Sequence, residues 1–293
     1  MPNQPRGLLL NTSVTAILAT AIIIGLLLTA GCTNTSPATV PFVQAPPNTP
    51  ALSIHTTPVQ YAEVNGITLA YREFGSGEPI LLICGFSATM DTQWNETFLG
   101  ILASQYHVYT YDHRGMGFSG DDDAHLAISQ YSDDAAGLIT ALGHDSMHIY
   151  GISLGSTVSQ QLVIDHPGRV RKVVLDSATY SIQVPETKLL YTIINESATD
   201  PGKPAGVREE AEANLAWSGS WDKLSEIDKD VMLVVGTEDV LTPDAVAVRM
   251  AGQINGSWLV RFKGLPHVGS HYAPVEYGEN ALAFLGMDQS PMA

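Results

Sequence analysis

Three side chains in this sequence have the types and the order needed for acyl chemistry. Ser153 stands between two glycines in 151-GISLG-155, Asp239 lies in 236-GTEDVLTP-243, and His267 lies in 264-GLPHVGSH-271. A serine hydroxyl is a poor nucleophile until a base takes its proton. The base suited to that task is a histidine held in place by a carboxylate. The alternative for the first stretch is a plain tight turn with Ser153 or Ser156 as a helix N-cap.

The local pattern around Ser153 matters more than the motif. Met147 to Gly151 reads as a strand, and Leu154 to His166 reads as a helix stopped by Pro167-Gly168. A serine at such a corner is pushed into a strained backbone geometry that exposes its hydroxyl. Side chains at Gly151 or Gly155 would collide with neighbouring backbone. The start of the helix adds a field that favours developing negative charge.

Rival residues accompany each member. His271 follows His267 by four positions, and Glu238 adjoins Asp239. Asp176 ends another predicted strand and offers a further carboxylate. Cys84 could be a nucleophile, but a cysteine that ends an apolar strand is more often an inert small hydrophobe. Asp121 to Asp123 could hold a cation, although three consecutive acids are more often a solvated turn. His125, His144, His148 and His166 are scattered. No metal site and no cofactor is expected. The DHRGMG glycines precede acids rather than the helix a phosphate site needs.

The elements that must position these residues alternate between strand and helix. Val59 to Leu69 alternates in polarity and turns at Asn65-Gly66, a pair favoured in tight hairpins, giving strands at Tyr61 to Val64 and Ile67 to Glu73. Further strands are predicted at Pro79–Cys84, Tyr106–Tyr111, Met147–Gly151, Lys172–Leu175, Val231–Val235 and Trp258–Phe262. Helices are predicted at Tyr131–Leu142, Leu154–His166 and Val275–Leu285. This order implies an α/β fold with a mainly parallel sheet and helices on both faces. Ligands bind such sheets at the carboxyl ends of the strands. Residues from about 178 to 228 break the alternation and read as a small helical cap, with Tyr180, Tyr191, Trp217 and Trp221 suggesting a wall for an apolar group or ordinary packing.

The rest of the chain bounds the setting. Its 293 residues are 45% apolar, enough for one sizeable core. The net charge of −16 repels phosphate backbones and argues against nucleic-acid binding. Two cysteines, Cys32 and Cys84, leave no disulfide framework. Residues 1–31 carry Arg6, an uncharged apolar run from Val14 to Ala30 and then Gly31-Cys32, the pattern of an export signal. The cysteine after Ala-Gly resembles that of lipoprotein signals, making Cys32 a lipidation candidate; the other reading is an uncleaved membrane helix. Either places the protein at a membrane, outside the cytoplasm. Residues 32–58 are rich in Pro, Thr and Ser and read as a tether, and 288–293 as a tail. Asn34, Asn95, Asn195 and Asn255 begin N-x-S/T triplets.

Four motifs together resemble the α/β-hydrolase fold family across residues 59–287. They are GISLG, 112-DHRGMGFS-119, the Gly236/Asp239/Pro243 spacing, and His267 followed by Pro274 and an apolar helix. The resemblance implies Ser153 as nucleophile, His267 as general base and acid, and Asp239 as the residue that orients it. It also implies an oxyanion hole from the backbone N–H groups of Leu154 and Phe86, and no cofactor. Asp112, His113 and Arg114 would pin their loop by charge-assisted hydrogen bonds. Cys84-Gly85 stands where family members often have His-Gly.

The implied activity is a serine hydrolase acting on a carboxylic ester, or on a lactone, thioester or amide, through an acyl-enzyme on Ser153. The partner is then a small-molecule substrate with an apolar group. Two alternatives remain: a cofactor-free perhydrolase or haloperoxidase using the same three residues, and a tethered binding protein without catalysis.

Overall fold

The computed structural model describes residues 53–122 and 127–287. The predicted export segment, Cys32, most of the tether, Asp123, His125 and the 288–293 tail lie outside the described residues.

The sheet begins with the predicted hairpin. Strands β1 (Gln60–Val64) and β2 (Ile67–Gly75) pair antiparallel in the register Val64↔Ile67. Asn65 and Gly66 both take positive φ, 49° and 84°, as a tight hairpin turn requires. The remaining strands are β3 (Glu78–Ile83), β4 (Tyr106–Tyr111), β5 (Met147–Ile152), β6 (Val170–Asp176), β7 (Asp230–Gly236) and β8 (Trp258–Phe262). The sheet has eight strands in the order β1-β2-β4-β3-β5-β6-β7-β8. From β4 to β8 every pairing is parallel, while β2 runs antiparallel to β4. With helices flanking the sheet, this is the α/β-hydrolase fold.

The continuous apolar run of β3 follows from burial on both faces. Leu81 and Ile83 point into one core, and Ile80 and Leu82 into the other, as the two-residue period of a strand dictates. Helices α1 (Met90–Gln93) and α2 (Glu96–Ala103) follow β3, α3 (Ile128–Ala141) follows β4, and α4 (Leu154–Asp165) follows β5. Next come α5 (Lys188–Thr199), α6 (Ala205–Ala216), α7 (Asp244–Gln253) and α8 (Pro274–Leu285). Residues of α3, α4 and α7 close the first core, and residues of α2 and α8 close the second.

Three helices, α1, α2 and α7, were not predicted, and α3 begins three residues before the predicted Tyr131. The start of α2 has a local cause. The Asn95 side chain accepts the Thr97 N–H at 2.8 Å and the Phe98 N–H at 3.4 Å, capping the helix. That asparagine is therefore an N-cap as well as the first residue of a glycosylation triplet. Ile54, within the predicted tether, is buried at 1% exposure among Phe74, Phe98 and their neighbours.

The 178–228 segment contains α5 and α6, which pack on each other. Their shared core of Ile182, Leu190, Ile194 and Ala211 also touches Phe86 and Leu241, from the loops after β3 and β7. Gly206 lets α6 settle on the loop after β4: a Cβ there would lie 2.1 Å from the Gly115 carbonyl oxygen.

Candidate active site

The corner at Ser153 is as tight as the motif implies. Ser153 has φ 55° and ψ −115°, a region that L-residues rarely occupy. A Cβ on Gly155 would lie 2.0 Å from the Ile83 carbonyl oxygen, and one on Gly151 would lie 2.3 Å from the Gly155 carbonyl oxygen. Only glycine permits this approach. The plain N-cap reading fails on geometry. Ser153 makes no side-chain cap hydrogen bond, and the Ser156 hydroxyl points back to the Gly151 and Asp176 carbonyls, 2.7 Å from each.

The three predicted side chains meet at the carboxyl ends of β5, β7 and β8. Ser153 Oγ is 2.9 Å from His267 Nε2, and His267 Nδ1 is 2.7 Å from Asp239 Oδ2. In the tautomer these contacts require, His267 donates its Nδ1–H to Asp239 and accepts the Ser153 hydroxyl at Nε2. Asp239 is itself fixed: its Oδ1 accepts the Leu241 and Thr242 N–H groups, both at 2.9 Å. The Thr242 hydroxyl lies 2.8 Å from Asp239 Oδ2 and 2.9 Å from the Ser177 carbonyl. Burial by itself would raise the Asp239 carboxyl. The hydrogen bond and charge of His267, with the Thr242 contacts, outweigh it and hold the group below the usual carboxylate range.

Backbone strain gathers here. Ser177 and Val268 also take positive φ, 52° and 56°, and the Val268 N–H donates to Ser177 Oγ at 3.1 Å. A β-branched residue in that region is an outlier that the surrounding structure must enforce. In this case the enforced turn aims His267.

The loop after β3 brings Phe86 to the same place. The Gly85 N–H donates to Gln93 Oε1 at 2.8 Å, the Ser87 N–H donates to Glu210 Oε2 at 2.7 Å, and the Ala88 N–H returns to the Gly85 carbonyl. Phe86 and Leu154 line one small cavity together with Ser153. Their N–H groups make no hydrogen bond to another described residue.

The rivals go elsewhere. His271 hydrogen-bonds the Gln93 carbonyl through Nε2. Glu238 is exposed. Asp176 is buried and accepts the Tyr150 and Ser177 hydroxyls, each at 2.9 Å; burial pushes its carboxyl up to about 7. Cys84 is fully buried, and burial, then the nearby Asp112 charge, pushes its thiol up, away from the reactive thiolate. Asp112 accepts the Met90 N–H at 2.7 Å and the Phe118 N–H at 2.8 Å. Arg114 grips Asp134 with two hydrogen bonds, 2.6 and 2.8 Å, and reaches Asp122 at 2.8 Å. Of the predicted acidic run, Asp122 thus serves that ion pair. No group of His, Cys, Asp or Glu side chains suited to a metal is found among the described residues.

The four cap aromatics do not line the cavity at Ser153. Trp217 is in the main core and donates to Gln161 Oε1 at 2.9 Å. Tyr180 packs against Trp221 at a ring separation of 4.6 Å, and Tyr191 borders an outer groove. Ile182, Leu190, Ile194 and Asn214 from the cap take their place in the wall. Residues missed in the sequence include Thr242, Ser177, Glu210 and Asn214. Thr242 alone had a signal, standing beside Pro243 in the Gly236 motif.

Comparison with known proteins agrees with this architecture. Residues 78–193 match the family model described as alpha/beta hydrolase fold, in keeping with the fold of the sheet and its helices. RutD of Azorhizobium caulinodans, put forward as a carbamate hydrolase, is 24% identical over 77% of this chain and 98% of its own length. A non-heme chloroperoxidase of Streptomyces lividans is 25% identical over 75% of this chain and 97% of its own. A thermophilic esterase from Thermogutta terrifontis superposes with a TM-score of 0.70 at 20% identity, covering 78% of this chain and 98% of that one.

Proposed function

We propose that this protein is a serine hydrolase that cleaves a carboxylic ester through an acyl-enzyme on Ser153. The observation that carries the reading is the continuous relay from Ser153 Oγ through His267 to Asp239, at 2.9 and 2.7 Å. As Ser153 attacks the substrate carbonyl, His267 Nε2 takes its proton. Asp239 stabilises the imidazolium that results. The tetrahedral oxyanion settles against the Leu154 and Phe86 N–H groups, with the start of α4 adding its field. His267 then gives its proton to the leaving alcohol. Water, activated by the same imidazole, releases the acid.

The test is labelling by a fluorophosphonate together with initial rates on p-nitrophenyl esters, wild type beside Ser153→Ala. Wild type should label at Ser153 and turn over, and the variant should do neither. An unlabelled wild-type protein would overturn the reading in favour of a binding protein.

A second reading is favoured by the similarity to a chloroperoxidase. Hydrogen peroxide would replace water at the acyl-enzyme and leave as a peracid. Peroxide-dependent bromination in the presence of a carboxylic acid, lost in Ser153→Ala, would select it.

The N-terminal segment suggests where this happens. The apolar run from Val14 to Ala30 and Cys32 would tether the domain to a membrane, outside the cytoplasm. An unchanged mass and membrane partition in Cys32→Ser would remove lipidation from the proposal.

A further inference from the structure

Ser177 follows directly on β6, whose last residue is Asp176, and it is fully buried. Its φ of 52° places a serine where glycine would be at ease. Each of its polar groups meets a different part of the site. The Ser177 N–H donates to the Val234 carbonyl of β7 at 2.9 Å. The Ser177 carbonyl oxygen lies 2.9 Å from the Thr242 hydroxyl, which also lies 2.8 Å from Asp239 Oδ2. Ser177 Oγ takes the Val268 N–H at 3.1 Å, one residue beyond His267. The neighbouring Asp176 carbonyl accepts the Ser153 N–H at 2.9 Å. All three loops of the relay therefore meet at this dipeptide.

The direction of the side-chain bonds is forced. An amide N–H can only donate, so Ser177 Oγ accepts from Val268. The hydroxyl proton is then left for Asp176 Oδ1, 2.9 Å away. Asp176 is buried, and its other oxygen accepts the Tyr150 hydroxyl. The result is a chain from the Val268 N–H through Ser177 to Asp176, in which each bond polarises the next. Val268 needs such a hold, because a β-branched residue at φ 56° is strained and persists only where its surroundings enforce it. Removing the hydroxyl would leave both the Val268 N–H and Asp176 Oδ1 short of a partner in a buried place.

We propose that Ser177 is a positioning residue for the relay: its hydroxyl holds the Val268 turn that aims His267 at Ser153, and its carbonyl steadies the Thr242 hydroxyl beside Asp239. This inference rests on the hydrolase reading above and adds a residue to its machinery. Ser177 touches no reacting atom, since its hydroxyl is committed to Val268 and Asp176. Ser153 and His267 stand 114 positions apart in the chain, so no local turn fixes the 2.9 Å between them. The Asp176-Ser177 pair supplies the common reference. One residue holds the nucleophile's backbone, and the next holds the backbone of the base. A displacement of about 1 Å between such groups can cost on the order of 100-fold in rate.

The test uses the full chain, p-nitrophenyl acetate and three substitutions, Ser177→Ala, Ser177→Gly and Ser177→Thr. Fluorophosphonate labelling taken to completion counts the folded enzyme, so kcat is expressed per labelled site. Alanine and glycine both remove the hydroxyl, but glycine also relieves the positive φ and should melt at the higher temperature of the two. Threonine keeps the hydroxyl and adds a branch that positive φ disfavours, so it should melt below glycine. A positioning role makes kcat follow the hydroxyl and not the melting temperature. Ser177→Ala and Ser177→Gly should each lose about ten- to a hundredfold in kcat with KM little changed, while Ser177→Thr keeps most of it. An unchanged kcat per labelled site in the alanine and glycine variants overturns the inference and leaves the hydrolase standing. So does a loss confined to KM, or a folded threonine variant that loses as much as glycine. Ser177→Gly decides by itself if the other two do not fold. Absence of both labelling and turnover in the wild type removes the hydrolase reading and this inference with it.

Discussion

Glu210 of the cap accepts the backbone N–H of Ser87 at 2.7 Å, one residue beyond Phe86, which lines the cavity at Ser153. Its other carboxylate oxygen is 2.9 Å from His113 Nδ1, and neither side chain of that pair is exposed. Ser87 takes φ 60°, a conformation that serine adopts at a cost. The carboxylate therefore holds a strained turn in place and ties the cap to the loop after β3, the loop proposed to supply an oxyanion donor. Glu210→Ala should lower kcat by about ten- to a hundredfold, short of the larger loss seen when an oxyanion donor is removed outright. KM should move little. Glu210→Gln keeps an acceptor for the Ser87 N–H and should recover much of kcat. A purely structural role would instead lower the melting temperature of both variants and leave the kcat of the folded fraction unchanged.

The glycines at the corner make a prediction about stability rather than rate. A Cβ at position 155 would sit 2.0 Å from one carbonyl oxygen and 2.7 Å from the next, both belonging to buried β3 and its end. Neither can retreat without breaking the sheet. Gly155→Ala should cost about 3 kcal/mol or prevent folding. Gly168, with nothing within 4 Å of a built Cβ, is the control: Gly168→Ala should change stability by less than about 0.5 kcal/mol. Urea midpoints of the three proteins measure both.

The contrast between these two sites explains what could be read from the sequence. The elbow, the Asp239 loop and the His267 loop are each short, and their backbone demands leave local marks: glycine where no Cβ fits, proline where a helix starts. The parallel strands were legible because burial on both faces makes them continuous apolar runs. The cap carries no such mark. Glu209, Glu210 and Glu212 stand almost together in AGVREEAEANLA, yet only Glu210 is fully buried and Glu212 is exposed. Which of them turns inward depends on α6 settling against Gly115 through Gly206, a contact between segments about 90 residues apart. Asn214 is hidden for the same reason. The aromatic residues drew the eye in the sequence, but the core and the outer surface claimed them.

Two carboxylates lie near His267, and their partners assign them different tasks. Asp239 touches Nδ1 at 2.7 Å, whereas Asp176 is bonded to the Tyr150 and Ser177 hydroxyls. Asp239→Asn can no longer select the tautomer that leaves Nε2 free, and should lower kcat by about 10⁴-fold at neutral pH. Asp176→Asn should retain most of the activity. The two kcat values on one p-nitrophenyl ester decide the assignment, and reversed outcomes would make Asp176 the orienting acid.

Asp176 should show itself in stability against pH. Its carboxyl titrates near 7 in the folded protein because burial disfavours the charge, against about 3.9 in an unfolded chain. Between those values the folded state holds a proton that the unfolded state has released. The contribution is therefore fully present below about pH 4, declines as pH rises, and is gone above about pH 7. At 1.36 kcal/mol per unit, the loss amounts to roughly 2–4 kcal/mol. Asp239 contributes in the opposite sense, and since its folded value lies below the ordinary one, its loss falls on the acid side of that window. Asp176→Asn removes the titration and keeps an acceptor for one of the two hydroxyls. Urea unfolding at pH 5 and pH 8 should show the wild type losing stability across the interval and the variant changing much less. Parallel losses in the two proteins would place the titrating group elsewhere.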